Sequence, residues 1–252
     1  MTVRLDGIDL VVFDKDGTII EFGSMWSGWA VALVEGLVAA TGRPIATPLY
    51  AMLGVDPVAA TVRAGGGLAA TPMARLRDRT REVLLAGGLT AADAERALEE
   101  AWHAPDPVAS ARPVTDLGDL FDRLRAGGCG IAVATTDDRD PTERTLAALG
   151  IADRIDATVC ADDGIAVKPA PDMILKAMKE TGTEPHRTIM IGDTTYDMQM
   201  AKAAGVHAIG VAWGYHQREA LTRAGAELVV DDFAHLARAI ADLLADTPAS
   251  AA

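Results

Sequence analysis

From residue 114 onward, short apolar runs alternate with amphipathic segments, and this alternation constrains the fold more than any other feature. The pattern predicts strands of four or five residues separated by helices that end at glycines. Such alternation builds right-handed βαβ units and a parallel sheet. The predicted strands are Gly130–Ala134, Ala157–Ala161, Thr188–Ile191, His207–Val211 and Glu227–Val230, and the predicted helices are Thr115–Ala126, Pro141–Leu149, Pro171–Thr181, Tyr196–Ala204, Gln217–Ala224 and Phe233–Ala245.

A further predicted strand near the start of the chain ends in two acids. The apolar run from Ile8 to Phe13 is followed by Asp14-Lys15-Asp16-Gly17-Thr18. Acids at this point lie at the carboxyl edge of the sheet, where open α/β sheets bind ligands. The side chain of one acid and the backbone carbonyl of the other can face the same volume, and such oxygen ligands suit Mg²⁺. The glycine permits a turn whose amides are free to face a phosphate.

The same motif also occurs in calcium-binding loops and in ordinary turns. An EF-hand loop needs a glutamate at its twelfth position. Counting from Asp14, that position holds Met25, and the sequence passes through Ile19 and Ile20 instead of supplying oxygen ligands. The calcium-loop interpretation therefore fails.

From Ser24 to about Ala104, the sequence indicates a helical insertion and no convincing strand. Thr47-Pro48, Asp56-Pro57 and Thr71-Pro72 each resemble a capping residue followed by a first-turn proline. Thr90 to Asp93 has the pattern of a capping box. Pro105-Asp106-Pro107 closes the insertion. We therefore predict one domain from residues 1–20 and 106–252, and a second from residues 21–105.

The charge balance excludes several classes of function. The 252 residues include 23 Lys and Arg against 36 Asp and Glu, for a formal net charge of −13. Binding to nucleic acid or to an anionic membrane requires a basic face, so neither partner is expected. No signal peptide or membrane-spanning stretch is evident, which favours a cytoplasmic protein. Cys129 and Cys160 lack metal or redox spacing and are interpreted as buried thiols.

Polar residues follow four segments of the predicted sheet. Taken one at a time, a Thr-Thr pair is usually a helix cap and a Lys-Pro pair is usually a surface turn. In a parallel sheet, however, these strand ends converge on one edge and supply complementary groups. They comprise Asp14 and Asp16, then Thr135-Thr136-Asp137, then Lys168-Pro169, and finally Gly192-Asp193-Thr194-Thr195-Tyr196-Asp197.

In the residues, order and spacing of these motifs, the chain resembles the haloacid-dehalogenase superfamily. It is most similar to the phosphatase branch, in which a helical cap is inserted after the first motif. The resemblance implies a Rossmann-like parallel-sheet core, an all-helical cap, and an active site at the crevice between them. It also implies a phosphoric monoester hydrolase that acts on a small phosphorylated metabolite, with phosphoglycolate-like compounds as the family default.

The resemblance further implies a role for each motif residue. Asp14 would attack phosphorus and form an aspartyl phosphate, and Asp16 would act as general acid and then general base. Mg²⁺ would be held by Asp14, the backbone carbonyl of Asp16, and Asp193. Asp197 would reach a metal-bound water or orient Lys168, unless it is an exposed helix residue.

The remaining motif residues would contact the transferred group. Lys168 would supply a local cation and Thr135 a hydroxyl. Thr136 and Gly17 would complete the phosphate-binding site. Family members usually carry an apolar residue between the first two acids, so Lys15 is a departure that could add positive charge at the site.

Two alternatives remain open from the sequence. A phosphomutase of the same fold would transfer the phosphoryl group to a second hydroxyl, although Thr18 after the glycine favours hydrolysis. A non-catalytic phosphate-accepting module would use similar acids, but receiver domains are shorter and lack the insertion. In the insertion, Trp26 and Trp29 are interpreted as apolar core rather than substrate contacts, and Arg75 to Arg81 as a solvated helix face. A monomer or homodimer is expected.

Overall fold

The structure is a computed structural model that describes residues 7–59, 61–63, 66–71, 73–103 and 111–245. These residues form two compact units. The sheet unit contains the described residues up to 21 and from 112 onward, and the insertion unit contains those from 22 to 111. The predicted boundary at Pro105-Asp106-Pro107 lies outside the described residues, as does Pro72 of the predicted Thr71-Pro72 helix start.

The structure contains these strands in chain order: β1 (Leu10–Phe13), β2 (Val55–Asp56), β3 (Thr61–Val62), β4 (Gly130–Ala134), β5 (Ala157–Val159), β6 (Thr188–Gly192), β7 (His207–Val211) and β8 (Leu228–Val230). The helices are α1 (Phe22–Thr41), α2 (Ala46–Leu53), α3 (Gly67–Ala70), α4 (Met73–Ala86), α5 (Ala91–Ala101), α6 (Leu117–Ala126), α7 (Arg139–Ala148), α8 (Asp172–Thr181), α9 (Thr195–Ala204), α10 (Arg218–Ala224) and α11 (Phe233–Ala245). Short 3₁₀ turns at Ala152–Arg154 and Pro185–Arg187 precede β5 and β6.

Six strands form one sheet in the order β5-β4-β1-β6-β7-β8, and every neighbouring pair is parallel. All four residues of β1 are buried, as expected for a central strand covered on both faces. On one face, Met173, Ile174 and Met198 from α8 and α9 pack with Leu10 and Val12 of β1. The predicted α/β fold class is confirmed, and β4 and β7 have the predicted bounds.

The insertion unit has its own apolar core and one unexpected hairpin. Trp26 and Trp29 are buried in this core with their rings edge to face and 5.7 Å apart, which agrees with the predicted core role. The expectation that the insertion contains no strand is wrong, because β2 and β3 form an antiparallel pair. Thr90 caps α5 by accepting a hydrogen bond from the Asp93 amide, as predicted.

The hairpin explains why the predicted helix start at Asp56-Pro57 is wrong. An Asp56 carboxylate oxygen accepts hydrogen bonds from the amides of Val58 and Ala59, at 2.9 and 3.0 Å. A helix cap makes the same local contacts, but here they close the turn between β2 and β3. Thr47-Pro48 also differs from its prediction, since α2 begins at Ala46 and Ile45 is its N-cap.

No helix in the described part of the chain combines the length and the apolar composition needed to cross a bilayer. Both cysteines are buried free thiols, as interpreted from the sequence.

Candidate active site

Three carboxylates meet where β1 and β6 end side by side. The register pairs Phe13 with Ile191, and the Asp14 amide donates to the Ile191 carbonyl at 2.9 Å. Asp14 and Asp193 therefore follow neighbouring strands, and Asp197 lies in the first turn of α9. One oxygen from each of the three side chains lies within 4.8 Å of the others, and all three residues are buried. The chain thus brings together acids separated by up to 183 positions in the sequence.

A buried lysine joins two of these acids. Lys168 lies in the segment between β5 and α8, and its Nζ contacts Oδ1 of Asp14. The same nitrogen lies 2.7 Å from Oδ1 of Asp197, and the lysine side chain is only 6% exposed. Although burial opposes its charged form, the two carboxylates raise the pKa of Lys168 above its usual range. Lys168 is therefore a fixed positive charge inside the cluster.

Hydrogen bonds at the start of α9 hold the side chain of Asp197 in place. Its Oδ2 accepts from the Thr194 amide at 2.9 Å and from the Thr194 hydroxyl at 2.6 Å. The Thr194 hydroxyl oxygen in turn accepts from the Asp197 amide, which completes a capping box. Asp197 is completely buried, so its interpretation as an exposed helix residue is wrong. Of the two functional roles suggested by the sequence, orientation of Lys168 is the one that corresponds to an observed contact.

Asp193 is positioned by a loop that the sequence analysis did not single out. The segment after β7 places the Tyr215 amide 2.6 Å from Oδ2 of Asp193. The His216 amide donates to the Asp193 carbonyl at 3.1 Å, and Thr18 donates to Oδ1 at 3.4 Å. An added Cβ at Gly214 would lie 2.3 Å from the Asp193 Cβ, so only glycine allows this approach. Because the loop acts through backbone groups, a search for acids and lysines could not find it.

Burial and mutual repulsion disfavour the ionised forms of Asp14 and Asp193 in this cluster. Burial, together with the charges of Asp197 and Asp16, raises the pKa of Asp14 to about 7 despite the opposing Lys168. Burial and the charges of Asp14 and Asp197 also raise the pKa of Asp193 well above its usual range. Three buried carboxylates share the single ammonium of Lys168, which contacts two of them. A divalent cation would supply the missing positive charge, and a set of hard carboxylate oxygens fits Mg²⁺.

A second ion-pair cluster lies beside the first. Lys15 is only 1% exposed, and its Nζ lies 2.6 Å from Oδ2 of Asp16 and 2.9 Å from Oδ2 of Asp137. Asp137 follows Thr135 and Thr136 at the end of β4, which neighbours β1. The lysine therefore ties the first motif to the end of the adjacent strand rather than pointing its charge into open solvent.

The remaining predicted residues lie at the same sheet edge. Thr135 is buried at the end of β4, where its hydroxyl oxygen accepts from the Asp137 amide at 3.2 Å. Thr136 is half-buried in the same turn. The expectation of a free Gly17 amide is wrong, because its N–H donates to the Ile20 carbonyl at 2.7 Å and closes the turn after the first motif.

Gly17 instead makes room for Asp193. It has a φ of +90°, and an added Cβ would lie 2.1 Å from Oδ2 of Asp193. We predict that Gly17→Ala displaces Asp193, lowers kcat by about 10²-fold and lowers the free energy of unfolding by about 2–4 kcal/mol.

Gly182→Ala is the matched control for this prediction. Gly182 also has a positive φ, +71°, but no atom lies within 4 Å of its added Cβ. Its cost should be limited to about 1–2 kcal/mol of left-handed backbone strain, with kcat unchanged. Thermal unfolding and steady-state kinetics of both variants measure the difference. Equal kcat values for Gly17→Ala and Gly182→Ala would contradict the steric explanation.

Comparison with known proteins identifies the family. The family model of haloacid dehalogenase-like hydrolases matches residues 8–205, a range that includes every acid described above. The chain belongs to the haloacid dehalogenase-like hydrolases. It is 32% identical to a phosphoglycolate phosphatase of Rhodospirillum rubrum over 232 residues, which cover 90% of this chain and 88% of that protein. A phosphoglycolate phosphatase of Pseudomonas putida is 29% identical, over 96% of this chain and 85% of its own.

Solved structures agree with this assignment at the level of the fold. A HAD-superfamily hydrolase of subfamily IA from Geobacter sulfurreducens has a TM-score of 0.64 and 20% sequence identity, and the match covers 96% of this chain and all of that one. The resemblance inferred from the motifs is thereby confirmed, and this haloacid dehalogenase-like hydrolase is a phosphatase, a hydrolase of phosphoric monoesters.

Proposed function

We propose that this phosphatase hydrolyses a small, phosphoglycolate-like phosphate monoester with the help of Mg²⁺ and through an aspartyl phosphate on Asp14. The observation that carries the proposal is the buried cluster of Asp14, Asp193 and Asp197, in which the ammonium of Lys168 contacts Asp14 and Asp197. Carboxylates in such numbers repel a phosphate unless positive charge is supplied with them. A lysine and a divalent ion together provide that charge.

The metal would be held by the side chains of Asp14 and Asp193 and by the backbone carbonyl of Asp16. When bound there, Mg²⁺ neutralises charge on the phosphoryl oxygens and favours the ionised form of the carboxylates. The burial and mutual repulsion that raise the pKa values of Asp14 and Asp193 are the features that fit such an ion. Asp197 has both oxygens engaged by Thr194 and Lys168, so we assign it the orientation of Lys168.

In the first step, a carboxylate oxygen of Asp14 attacks phosphorus in line with the leaving oxygen. The new O–P bond forms as the bond to the leaving oxygen breaks, and the Asp16 carboxyl donates its proton to that oxygen. Lys168 and the Thr135 hydroxyl stabilise the charge on the transferred phosphoryl group. The products of this step are the free alcohol, the aspartyl phosphate and an ionised Asp16.

In the second step, the Asp16 carboxylate takes a proton from a water molecule while the water oxygen attacks phosphorus. The bond between the Asp14 oxygen and phosphorus breaks, which releases inorganic phosphate and restores both side chains. Splitting the reaction into two displacements uses the same general acid–base group in both directions. The net reaction consumes one water for each ester hydrolysed.

The substrate class is taken from the relatives named phosphoglycolate phosphatase. Because the net charge is −13, the protein as a whole does not attract an anion. A small phosphate ester must therefore be bound by positive charge within the site itself. We expect the purified chain with Mg²⁺ to release inorganic phosphate from 2-phosphoglycolate. Its kcat/KM there should exceed the values for hexose and glycerol phosphates by at least about tenfold, or about 1.4 kcal/mol in transition-state binding.

A panel of phosphorylated metabolites, assayed for free phosphate, tests this proposal. Activity on the panel with no preference for 2-phosphoglycolate would refute the substrate class but keep the phosphatase mechanism. Transfer of the phosphoryl group to a second hydroxyl without free phosphate would indicate a phosphomutase instead. Formation of a stable phosphoprotein without turnover would indicate the phosphate-accepting module.

A further inference from the structure

Lys15 is a charged residue whose side chain is almost completely buried. Its side chain is 1% exposed, and an ammonium removed from water is strongly destabilised unless it is paired with acids. The two acids that pair with it, Asp16 and Asp137, have side chains that are only 13% and 15% exposed. The chain therefore holds an ion triad, not a lone buried charge, at this position.

The triad connects two loops that follow neighbouring strands. Asp16 lies in the turn after β1, and its own backbone is bridged to Ile20. Asp137 lies in the turn after β4, where its amide donates to Thr135 and its carbonyl accepts from the Ala161 amide at 2.9 Å. Asp137 is thus anchored by its backbone within its own turn and to the segment that follows β5. Through Lys15, this anchor fixes the position of the Asp16 carboxyl group.

We propose that Lys15 is a positioning residue that holds the carboxyl group of Asp16 in place for proton transfer during phosphate ester hydrolysis. A lysine ammonium can only donate, so its 2.6 Å contact occupies Oδ2 as an acceptor. The inference rests on the proposed function, because it depends on the role of Asp16 as general acid.

A positioning role predicts a loss that depends on the leaving group. The alkoxide that leaves 2-phosphoglycolate needs a proton, whereas p-nitrophenolate leaves readily without one. Misplacing Asp16 should therefore slow the first phosphoryl transfer from 2-phosphoglycolate much more than that from p-nitrophenyl phosphate, whereas the second step is the same for both. A merely structural role would slow both substrates by the same factor, since the nucleophile and the phosphoryl-binding groups are shared.

The test compares Lys15→Met with wild type on these two substrates in the presence of Mg²⁺. Methionine has a similar length, fits an apolar environment and removes only the charge and its contacts. We expect kcat/KM, which reports the first phosphoryl transfer and not the hydrolysis step that both substrates share, to fall by about 10–100-fold for 2-phosphoglycolate. The same quantity should fall by less than about threefold for p-nitrophenyl phosphate. In an Asp16→Asn background, the same substitution should cause less than about threefold further loss on either substrate.

Two further variants keep the test decisive. Lys179→Met changes an exposed lysine of α8 in the same way and should leave both kcat/KM values and the melting temperature unchanged. If Lys15→Met does not fold, Asp137→Asn replaces it, because it weakens the anchor but leaves Lys15 in contact with Asp16. Its loss on 2-phosphoglycolate should be smaller, about 3–10-fold, with the same dependence on the leaving group.

The outcomes separate this inference from the proposed function. Equal losses on the two substrates, or a full additional loss in the Asp16→Asn background, would overturn the positioning role while the phosphatase mechanism stands. No phosphate release by wild type from either substrate would refute the proposed function, and the inference with it. An Asp16→Asn variant with wild-type kcat on 2-phosphoglycolate would remove the role of Asp16 on which both depend.

Discussion

Replacing Asp14 by asparagine is expected to lower kcat for phosphate ester hydrolysis by at least about 10⁴-fold, because an amide cannot supply the attacking carboxylate oxygen. The substitution keeps the shape of the side chain, and the amide oxygen can still accept from Lys168. It also removes one charge from a cluster in which burial raises the pKa of Asp14 to about 7. The folded protein should therefore be at least as stable as wild type.

Steady-state kinetics and the mass of acid-quenched protein measure this expectation. Wild type should show a fraction of molecules heavier by one phosphoryl group during turnover, and Asp14→Asn should show none. Asp153→Asn serves as the control, since that side chain is 81% exposed and pairs only with its neighbour Arg154 among the contacts described here. Retention of the heavier species in Asp14→Asn would exclude Asp14 as the nucleophile.

The sequence was sufficient to locate the acids because their positions follow from the parallel sheet. Each carboxylate comes directly after an apolar strand or one helical turn later, so the strand ends alone predict a common edge. β1 and β6 do lie side by side, and β4 flanks β1 on its other side. The sequence did not supply the contact of Lys168 with Asp14, whereas its contact with Asp197 was one of the two roles implied by the resemblance. The contacts of Lys168 with both Asp14 and Asp197 depend on a segment whose path is set by tertiary structure.

The loop after β7 was missed for a different physical reason. It positions Asp193 through the Tyr215 and His216 amides and through the lack of a side chain at Gly214. Every residue except proline carries an amide, so a backbone donor leaves no signal in the residue types. The position of the loop, at the end of a strand beside β6, was the available clue. Strand ends deserve inspection in a parallel sheet even where no charged residue follows.

The hairpin in the insertion unit shows a limit of local patterns. Asp56 accepts two backbone amides whether it begins a helix or a tight turn, so the Asp-Pro pair could not distinguish them. The pairing of Val55 with Val62 decides the outcome, and this pairing is a tertiary contact. By contrast, the Thr90 cap was predicted correctly because an amphipathic pattern extends for three turns after it.

The burial of Lys15 also could not be predicted from the local sequence. From the sequence, Lys15 was interpreted as a departure from the family pattern that could add positive charge at the site. In the structure Lys15 is buried, because Asp137, which follows the neighbouring strand β4, compensates its charge. The burial of this lysine thus depends on a partner 122 positions away. The same tertiary arrangement that hides the lysine brings the four predicted motif segments to one sheet edge.

Because the carboxylates of the cluster repel one another, we expect that replacing Asp193 lowers activity without lowering stability. Asp193→Asn should lower kcat by about 10³-fold, because a ligand for the proposed Mg²⁺ is lost. Yet the metal-free variant should be at least as stable as wild type. Its amide oxygen still accepts from the Tyr215 amide, and one charge that repels Asp14 and Asp197 is gone. Asp193 has a raised pKa in the folded state, so the stability of metal-free wild type falls as the pH rises from the ordinary carboxyl range toward that raised pKa.

Thermal unfolding with and without Mg²⁺, across this pH range, measures the stability part of the expectation. A ligand at 100 times its Kd stabilises the native state by about 2.7 kcal/mol, which for a chain of this size raises the melting temperature by several degrees. Wild type and the exposed control Asp140→Asn should both show this rise, and Asp193→Asn should lose most of it. A metal-free Asp193→Asn that melts several degrees below wild type would contradict the argument, since Asp193 would then stabilise the fold instead of straining it. An undiminished response to Mg²⁺ in that variant would place the cation elsewhere.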